Sequence, residues 1–191
     1  MRRFDNAFME EFPVNIWHDV PFGEDAPEVI NVVIEIPRGS RNKYEIDKDT
    51  GLVKLDRVLS SAVYYPGDYG LIPQTYCEDG DPLDVILLLN FPTFPGCLVE
   101  ARPIGVFGMI DGGENDDKIL AVPANDPYFA NIKDLADVPP HFIKEVTQFF
   151  ASYKALENKT VQVGEWQGAE AAKQRVQDSI QLYNENFRKA E

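Results

Sequence analysis

From residue 31 onward the apolar positions fall into short runs separated by glycine, proline and charged turns, the rhythm of successive strands. V-V-I-E-I at 32–36 is β-branched and apolar except for Glu35, and Pro37-Arg38-Gly39 ends it. Residues 43–46 alternate, with Lys43 and Glu45 on one face and Tyr44 and Ile46 on the other. A turn at 47–51 leads to a third strand at 52–55, with Arg57 just beyond it. The stretch Y-Y-P-G-D-Y-G at 64–70 reads as a loop. Further strands follow at 85–89, at 98–106, where Pro103 signals a bulge or an edge, and at 119–122, the last strand the pattern predicts.

The period then lengthens. In 139–157, Phe142, Val146, Phe149, Phe150 and Tyr153 recur at helical spacing behind a Pro139-Pro140 start. In 169–189, Ala172, Val176, Ile180, Tyr183 and Phe187 do the same. Many short strands followed by two helices predict an α+β domain in which a small closed sheet carries helices on its outside. Residues 1–28, punctuated by Pro13, Pro21 and Pro27, show no such pattern. They read as an extended arm that packs Trp17 and Phe12 against a single domain spanning 29–191.

Composition narrows the class. At 191 residues, 44% of them hydrophobic and 12% aromatic, the chain can bury a real core. Eighteen basic against 32 acidic residues leave a net charge of −14, which tells against a nucleic-acid partner, since such partners need a cationic footprint. Two cysteines, Cys77 and Cys97, make no disulfide framework and fit a reducing compartment. No apolar segment follows Arg2 and Arg3, and the longest apolar run is five residues, so no membrane span is expected and a cytoplasmic location is. His18 and His141 have no histidine or cysteine at ligand spacing, so zinc is not expected.

The chemistry concentrates at 79–84, D-G-D-P-L-D, immediately before the apolar run 85–89. Three carboxylates in six positions raise one another's pKa unless a cation sits among them, and hard divalent cations prefer such oxygen ligands. Pro82 biases Asp81 towards extended backbone, which sends Asp79 and Asp81 to one side, and the turn through Leu83 swings Asp84 back. A second acidic loop at 111–118 holds Asp111 and Asp116. The two loops lie at strand ends, where functional groups usually sit, and Lys43, Arg57, Lys118 and Lys154 are candidates to bind an anion held by metal. The plain alternative is a solvated acidic turn with ordinary surface lysines. Glu35 and Lys43 weigh against it, because each interrupts a strand of otherwise buried character. An EF-hand beginning at Asp79 fails, since its sixth and twelfth positions hold Asp84 and Asn90. Phosphatases that form an aspartyl-phosphate carry D-x-D after an apolar strand, whereas here the apolar run follows the motif. No phosphate-binding P-loop, nucleophile elbow or C-x-x-C pair occurs.

The run D-G-D-P-L-D resembles the D-[SGDN]-D-[PE]-[LIVMF]-D signature of the family I soluble inorganic pyrophosphatases. V-V-I-E-I-P at 32–37, K-Y-E-I-D at 43–47, D-R-V-L-S at 56–60 and Y-P-G-D-Y-G at 65–70 resemble further blocks of that family. So do the spacing of Asp111, Asp116 and Lys118 and the F-F-x-x-Y-K of 149–154. The arm is longer than in compact bacterial members and more like that of plant-type sequences.

The resemblance implies a five-stranded closed barrel of OB type with two packed helices, and hydrolysis of pyrophosphate with Mg²⁺ as cofactor. It implies Asp79, Asp84, Asp111 and Asp116 as metal ligands and Asp81 as the base. Lys43, Arg57, Lys118, Tyr153 and Lys154 would grip the phosphates, Tyr69 would bond a site carboxylate, and Glu35 and Glu45 would support waters and outer metals. A homo-oligomer is implied as well, with the hexamer of bacterial members favoured. The competing reading is a barrel that binds metal or oligonucleotide without catalysis; the charge of −14 and the full residue set tell against it.

Overall fold

The computed structural model describes residues 14–48, 50–157 and 159–188. Its strands are β1 (Ile30–Ile36), β2 (Asn42–Ile46), β3 (Val53–Val58), β4 (Asp68–Leu71), β5 (Asp84–Leu87), β6 (Leu98–Asp111), β7 (Glu114–Asn115), β8 (Lys118–Pro123) and β9 (Val161–Gly168). The α-helices are α1 (Ile16–Asp19), α2 (Pro140–Ser152) and α3 (Ala169–Phe187). β1 pairs with β4 and β6, β4 with β5, β5 with β8, and β8 with β6, so five strands of a mixed sheet form a ring. Within that ring only β5 and β8 run parallel. β6, at 14 residues, is long enough to serve β1 and β8 and also to pair with β7 and β9. β2 and β3 form a separate hairpin.

Alternation within the ring sends apolar side chains to two sides. Ile86, Phe107, Leu120 and Val122 pack with Phe142, Val146, Phe149 and Phe150 of α2. Val85, Leu87, Ile119 and Ala121 pack with Ala172 and Val176 of α3. In β1 the alternation breaks: Ile34 joins the α3 side but Ile36 joins the α2 side. The cause is a bulge, because Ile34 faces Gly70 while Ile36 faces Tyr69, leaving Glu35 as the extra residue. The helical faces predicted from the sequence are therefore the buried ones, with Ile180 half-buried and Phe187 exposed.

Several expectations require correction. The stretch read as a loop at 64–70 supplies β4 at its end, fully buried between β1 and β5. Gly70 makes that possible: a Cβ there would lie 2.0 Å from the Val33 carbonyl oxygen. The strand at 119–122 is not the last, since β9 follows and lies along β6. β9 is mostly exposed, so it carries no alternating apolar signal. The third strand extends to Val58 and contains Arg57. Pro103 marks a real irregularity, with the β6–β8 register shifting between Pro103 and Gly105. The arm is not wholly extended: Asn15 caps the helical turn α1, whose Trp17 is buried, while Phe12 lies outside the described residues.

Candidate active site

The parallel pairing of β5 and β8 explains how the two acidic loops, distant in sequence, meet. Residues 79–83 precede β5 and residues 111–117 precede β8, and parallel strands share the same end. Asp84 and Lys118 face each other in register as the first residues of the two strands. The first loop turns at Gly80, whose φ of +86° is the left-handed conformation glycine favours, and the Asp81 N–H then donates to Asp79 Oδ1 at 3.1 Å. In the second loop Asp117 is diverted to Arg175 of α3 at 2.5 Å, leaving Asp111 and Asp116 to face the first loop.

Twelve of the thirteen residues expected at the site line one cleft of about 590 Å³. They are Glu35, Lys43, Glu45, Tyr69, Asp79, Asp81, Asp84, Asp111, Asp116, Lys118, Tyr153 and Lys154. Arg57 is not a lining residue, but it is the register partner of lining Lys43 across the β2–β3 hairpin. Its Nη1 donates to Asp56 at 2.6 Å and its Nε to Glu157 at 3.2 Å. Arg57 Nη2 is buried and has no hydrogen-bond partner among the described residues.

Positive and negative groups interleave. Lys118 Nζ donates to Asp84 Oδ2 at 2.5 Å and also to Asp116, and Lys154 pairs with Asp111. Lys43 bonds Glu45 and lies 3.3 Å from Asp56, and Lys48 bonds Asp81. The Tyr69 hydroxyl donates to Asp84 Oδ2 at 2.5 Å, so that one carboxylate oxygen accepts from both Tyr69 and Lys118. Burial alone would pull the Lys118 ammonium down, but Asp84 and Asp116 outweigh it and hold the group charged well above its ordinary range. Burial works against the Lys43 ammonium in the same way, and Glu45 and Asp56 outweigh it. Burial, with the charge of Asp84, pushes Glu35 up to about 8; its carboxyl accepts from the Ile46 N–H at 2.8 Å. Burial also pushes Asp79 up to about 6, with Asp116 and its own neighbours Asp81 and Asp84 adding to the rise. Tyr69 and Tyr153 are driven well above the ordinary phenol range by burial first and by nearby aspartates second, so both are hydrogen-bond donors at neutral pH.

The donor set discriminates between metals. No histidine or cysteine is among the residues that line the cleft; its anionic groups are all carboxylates, which suits a hard cation such as Mg²⁺ and not zinc. Among the described residues no three His, Cys, Asp or Glu side chains are gathered tightly enough to hold a metal as they stand. Lysine ammonium groups instead supply the counter-charge to Asp84, Asp111 and Asp116.

Sequence reasoning missed one wall of this cleft. Asn15, Ile16 and Trp17 of the arm line it, together with Lys48 from the β2–β3 turn and Glu114 from the second acidic loop. Lys48 adjoins the K-Y-E-I-D block, but only the folding of the hairpin towards the acidic turn brings it to Asp81.

The chain is similar to known proteins over most of its length. The family model described as inorganic pyrophosphatase matches residues 32–184. Soluble inorganic pyrophosphatase 2 of Chlamydomonas reinhardtii is 52% identical over 171 residues, covering 90% of this chain and 89% of the relative. The inorganic pyrophosphatase of Haloferax volcanii is 50% identical over 91% of this chain and 99% of its own. The crystal structure of inorganic pyrophosphatase from Thermus thermophilus superposes with a TM-score of 0.87 at 46% identity, covering 90% of this chain and 99% of that one.

Proposed function

Because the chain belongs to the family I soluble inorganic pyrophosphatases, we propose that this cleft hydrolyses pyrophosphate to two phosphates with Mg²⁺ as cofactor. The observation that carries the reading is the meeting of five aspartates from two loops with Lys43, Lys118 and Lys154 in one cleft. Asp79, Asp84, Asp111 and Asp116 would hold the metal. Bound Mg²⁺ supplies charge neutralisation of the phosphates and makes a nearby water more acidic.

The side chains do the rest. Asp81, half-exposed at the cleft wall, accepts the proton of the attacking water through a carboxylate oxygen as the P–O–P bridge breaks. Lys43, Lys118, Lys154 and Tyr153 hold the phosphate oxygens, keeping the reacting phosphorus in line with the water. Arg57 serves the same end, and its buried, unpartnered Nη2 is a donor awaiting an anionic oxygen. Tyr69 fixes the orientation of Asp84 through its hydroxyl. Glu35 and Glu45 support the rim; the bulge at Glu35 is what aims its side chain into the cleft.

In the same reading the ring of five strands is a closed OB-type barrel, residues 29–191 are the catalytic domain, and residues 1–28 are an arm. The match over 32–184 supports that division. The working unit is a homo-oligomer, with a hexamer favoured, in the cytoplasm. Two free cysteines fit that compartment, and among the described residues no helix is long and apolar enough to cross a membrane. The test is phosphate release from pyrophosphate with Mg²⁺, with excess chelator, and with p-nitrophenyl phosphate in place of pyrophosphate. Mg²⁺-dependent release specific to pyrophosphate is expected. Full activity in chelator, or equal rates on the phosphomonoester, would reject it.

A further inference from the structure

The Asp81 carboxylate protrudes from the acidic turn with its side chain 58% exposed, and among the described residues its side chain has one hydrogen-bond partner, Lys48. An exposed carboxylate with one partner takes its orientation from that partner. Lys48 is itself half-exposed, and exposed pairs of this kind usually hold no fixed geometry, since both side chains lose freedom when they meet. Here the lysine has a seat. Its ammonium lies 4.8 Å from the centroid of the Trp17 ring, a cation–π contact that favours one placement of the head group.

The seat is anchored to the same residue as the acidic turn. Trp17 Nε1 donates to the Thr75 carbonyl at 2.8 Å in a buried bond. The hydroxyl of Thr75 accepts the Leu83 N–H at 2.8 Å, and Leu83 lies inside D-P-L-D. The hairpin turn that carries Lys48 packs on the arm too: a Cβ on Gly51 would lie 2.8 Å from the Val14 carbonyl oxygen. Lysine, ring and acidic turn are therefore referenced to one buried frame at Thr75.

We propose that Lys48 is a positioning residue that aims Asp81, and that Trp17 is the platform on which it does so, making the arm a working part of the active site. This rests on the reading of Asp81 as the base. The ion pair holds the carboxylate at the cleft wall, and the ring limits where the ammonium can go. Misplacement of a reacting group by an ångström costs up to about 100-fold in rate, so the pair bears on turnover far more than on stability.

The experiment measures kcat and KM for pyrophosphate at saturating Mg²⁺, with thermal unfolding of every variant. Lys48→Met keeps the stem on the ring and removes the charge. It should lower kcat by about 5- to 50-fold with KM within about twofold, the signature of an interaction realised in the transition state. Lys48→Arg, which can pair with the carboxylate and stack on the ring, should recover kcat to within about threefold. Trp17→Phe keeps a ring but loses the Nε1 bond to Thr75 and should fall between, and Lys48→Met added to it should cost less than it does alone, because the two act as one unit. Wild-type kcat in Lys48→Met, a raised KM with kcat intact, no recovery in Lys48→Arg, or fully additive losses would each overturn the assignment while leaving pyrophosphate hydrolysis standing. A wild-type protein without that activity would remove both.

Discussion

The Lys118 ammonium lies 2.5 Å from the carboxylate of Asp84, the residue that faces it in register across β5 and β8. The same nitrogen also bonds Asp116, and Lys118 is only 2% exposed. One buried cation thus neutralises a carboxylate from each acidic loop at the point where the two loops meet.

Lys118→Met should therefore leave two largely buried carboxylates facing each other without a counter-charge. Breaking a buried pair from one side costs about 3–5 kcal/mol, and the loss should appear in full in chelator. Mg²⁺ should restore part of it, because a ligand bound only by the folded state stabilises that state. Thermal unfolding of wild type and variant, with and without Mg²⁺, tests this; equal melting in chelator would show that Lys118 does not carry the site's charge balance.

Asp81 and Asp84 should separate by substitution. Asp81→Asn keeps size and hydrogen bonding but cannot take up the proton, so turnover should fall by roughly 10²–10⁴ with Mg²⁺ affinity near wild type. Asp84→Asn should weaken Mg²⁺ binding itself. Calorimetric Mg²⁺ titration beside initial rates distinguishes them, and recovery of full rate by Asp81→Asn at high Mg²⁺ would make Asp81 a ligand.

Glu35 sets a pH dependence of stability. Burial, aided by Asp84, moves its carboxyl from 4.5 to about 8, so across that window the folded chain retains a proton that the unfolded chain has released. Its contribution is fully present below 4.5 and is lost as pH rises through about 8. Glu35→Gln keeps an oxygen to accept the Ile46 N–H and removes the titration. In metal-free buffer the variant should gain on wild type between the two ends of the window, by on the order of a few kcal/mol. Denaturant unfolding at several pH values checks it, and parallel curves would contradict it.

Assembly is the fourth expectation. Light scattering at micromolar concentration should give a mass several times the 21.6 kDa of one chain. A monomer mass would remove the proposed oligomer without touching the chemistry of the cleft.

Much of this site was legible because its chemistry is local in sequence. Asp79, Asp81 and Asp84 announce themselves by crowding, and Glu35 and Lys43 by interrupting apolar strands. What periodicity does not contain is which strands neighbour which. β4 was hidden because the stretch 64–70 that supplies most of it is rich in tyrosine and glycine, and its tight approach to β1 depends on a missing Cβ at Gly70. β9 was hidden because most of its side chains face solvent, and because Gly164 crosses so close to Gly108 that an added Cβ would sit 2.9 Å from the Gly108 carbonyl oxygen. Trp17 and Lys48 were invisible as site residues for another reason: their contact spans 31 positions of sequence and is set by how the arm and the hairpin turn pack together.

The parallel alignment of β5 with β8 also dictates an order of events during folding. Parallel neighbours cannot be joined by a tight hairpin, so the chain between 88 and 117 must travel out along β6 and return before Lys118 can dock beside Asp84. The entropy lost in closing that excursion has to be met while the first acidic turn is still solvated and its carboxylates are mutually repelling. A chain released from the ribosome before residue 118 would hold D-G-D-P-L-D but neither the opposing loop nor the buried ammonium. On the proposed reading, a divalent cation would find its full set of carboxylates only after the sheet has found its register, so its binding would report that register and not set it.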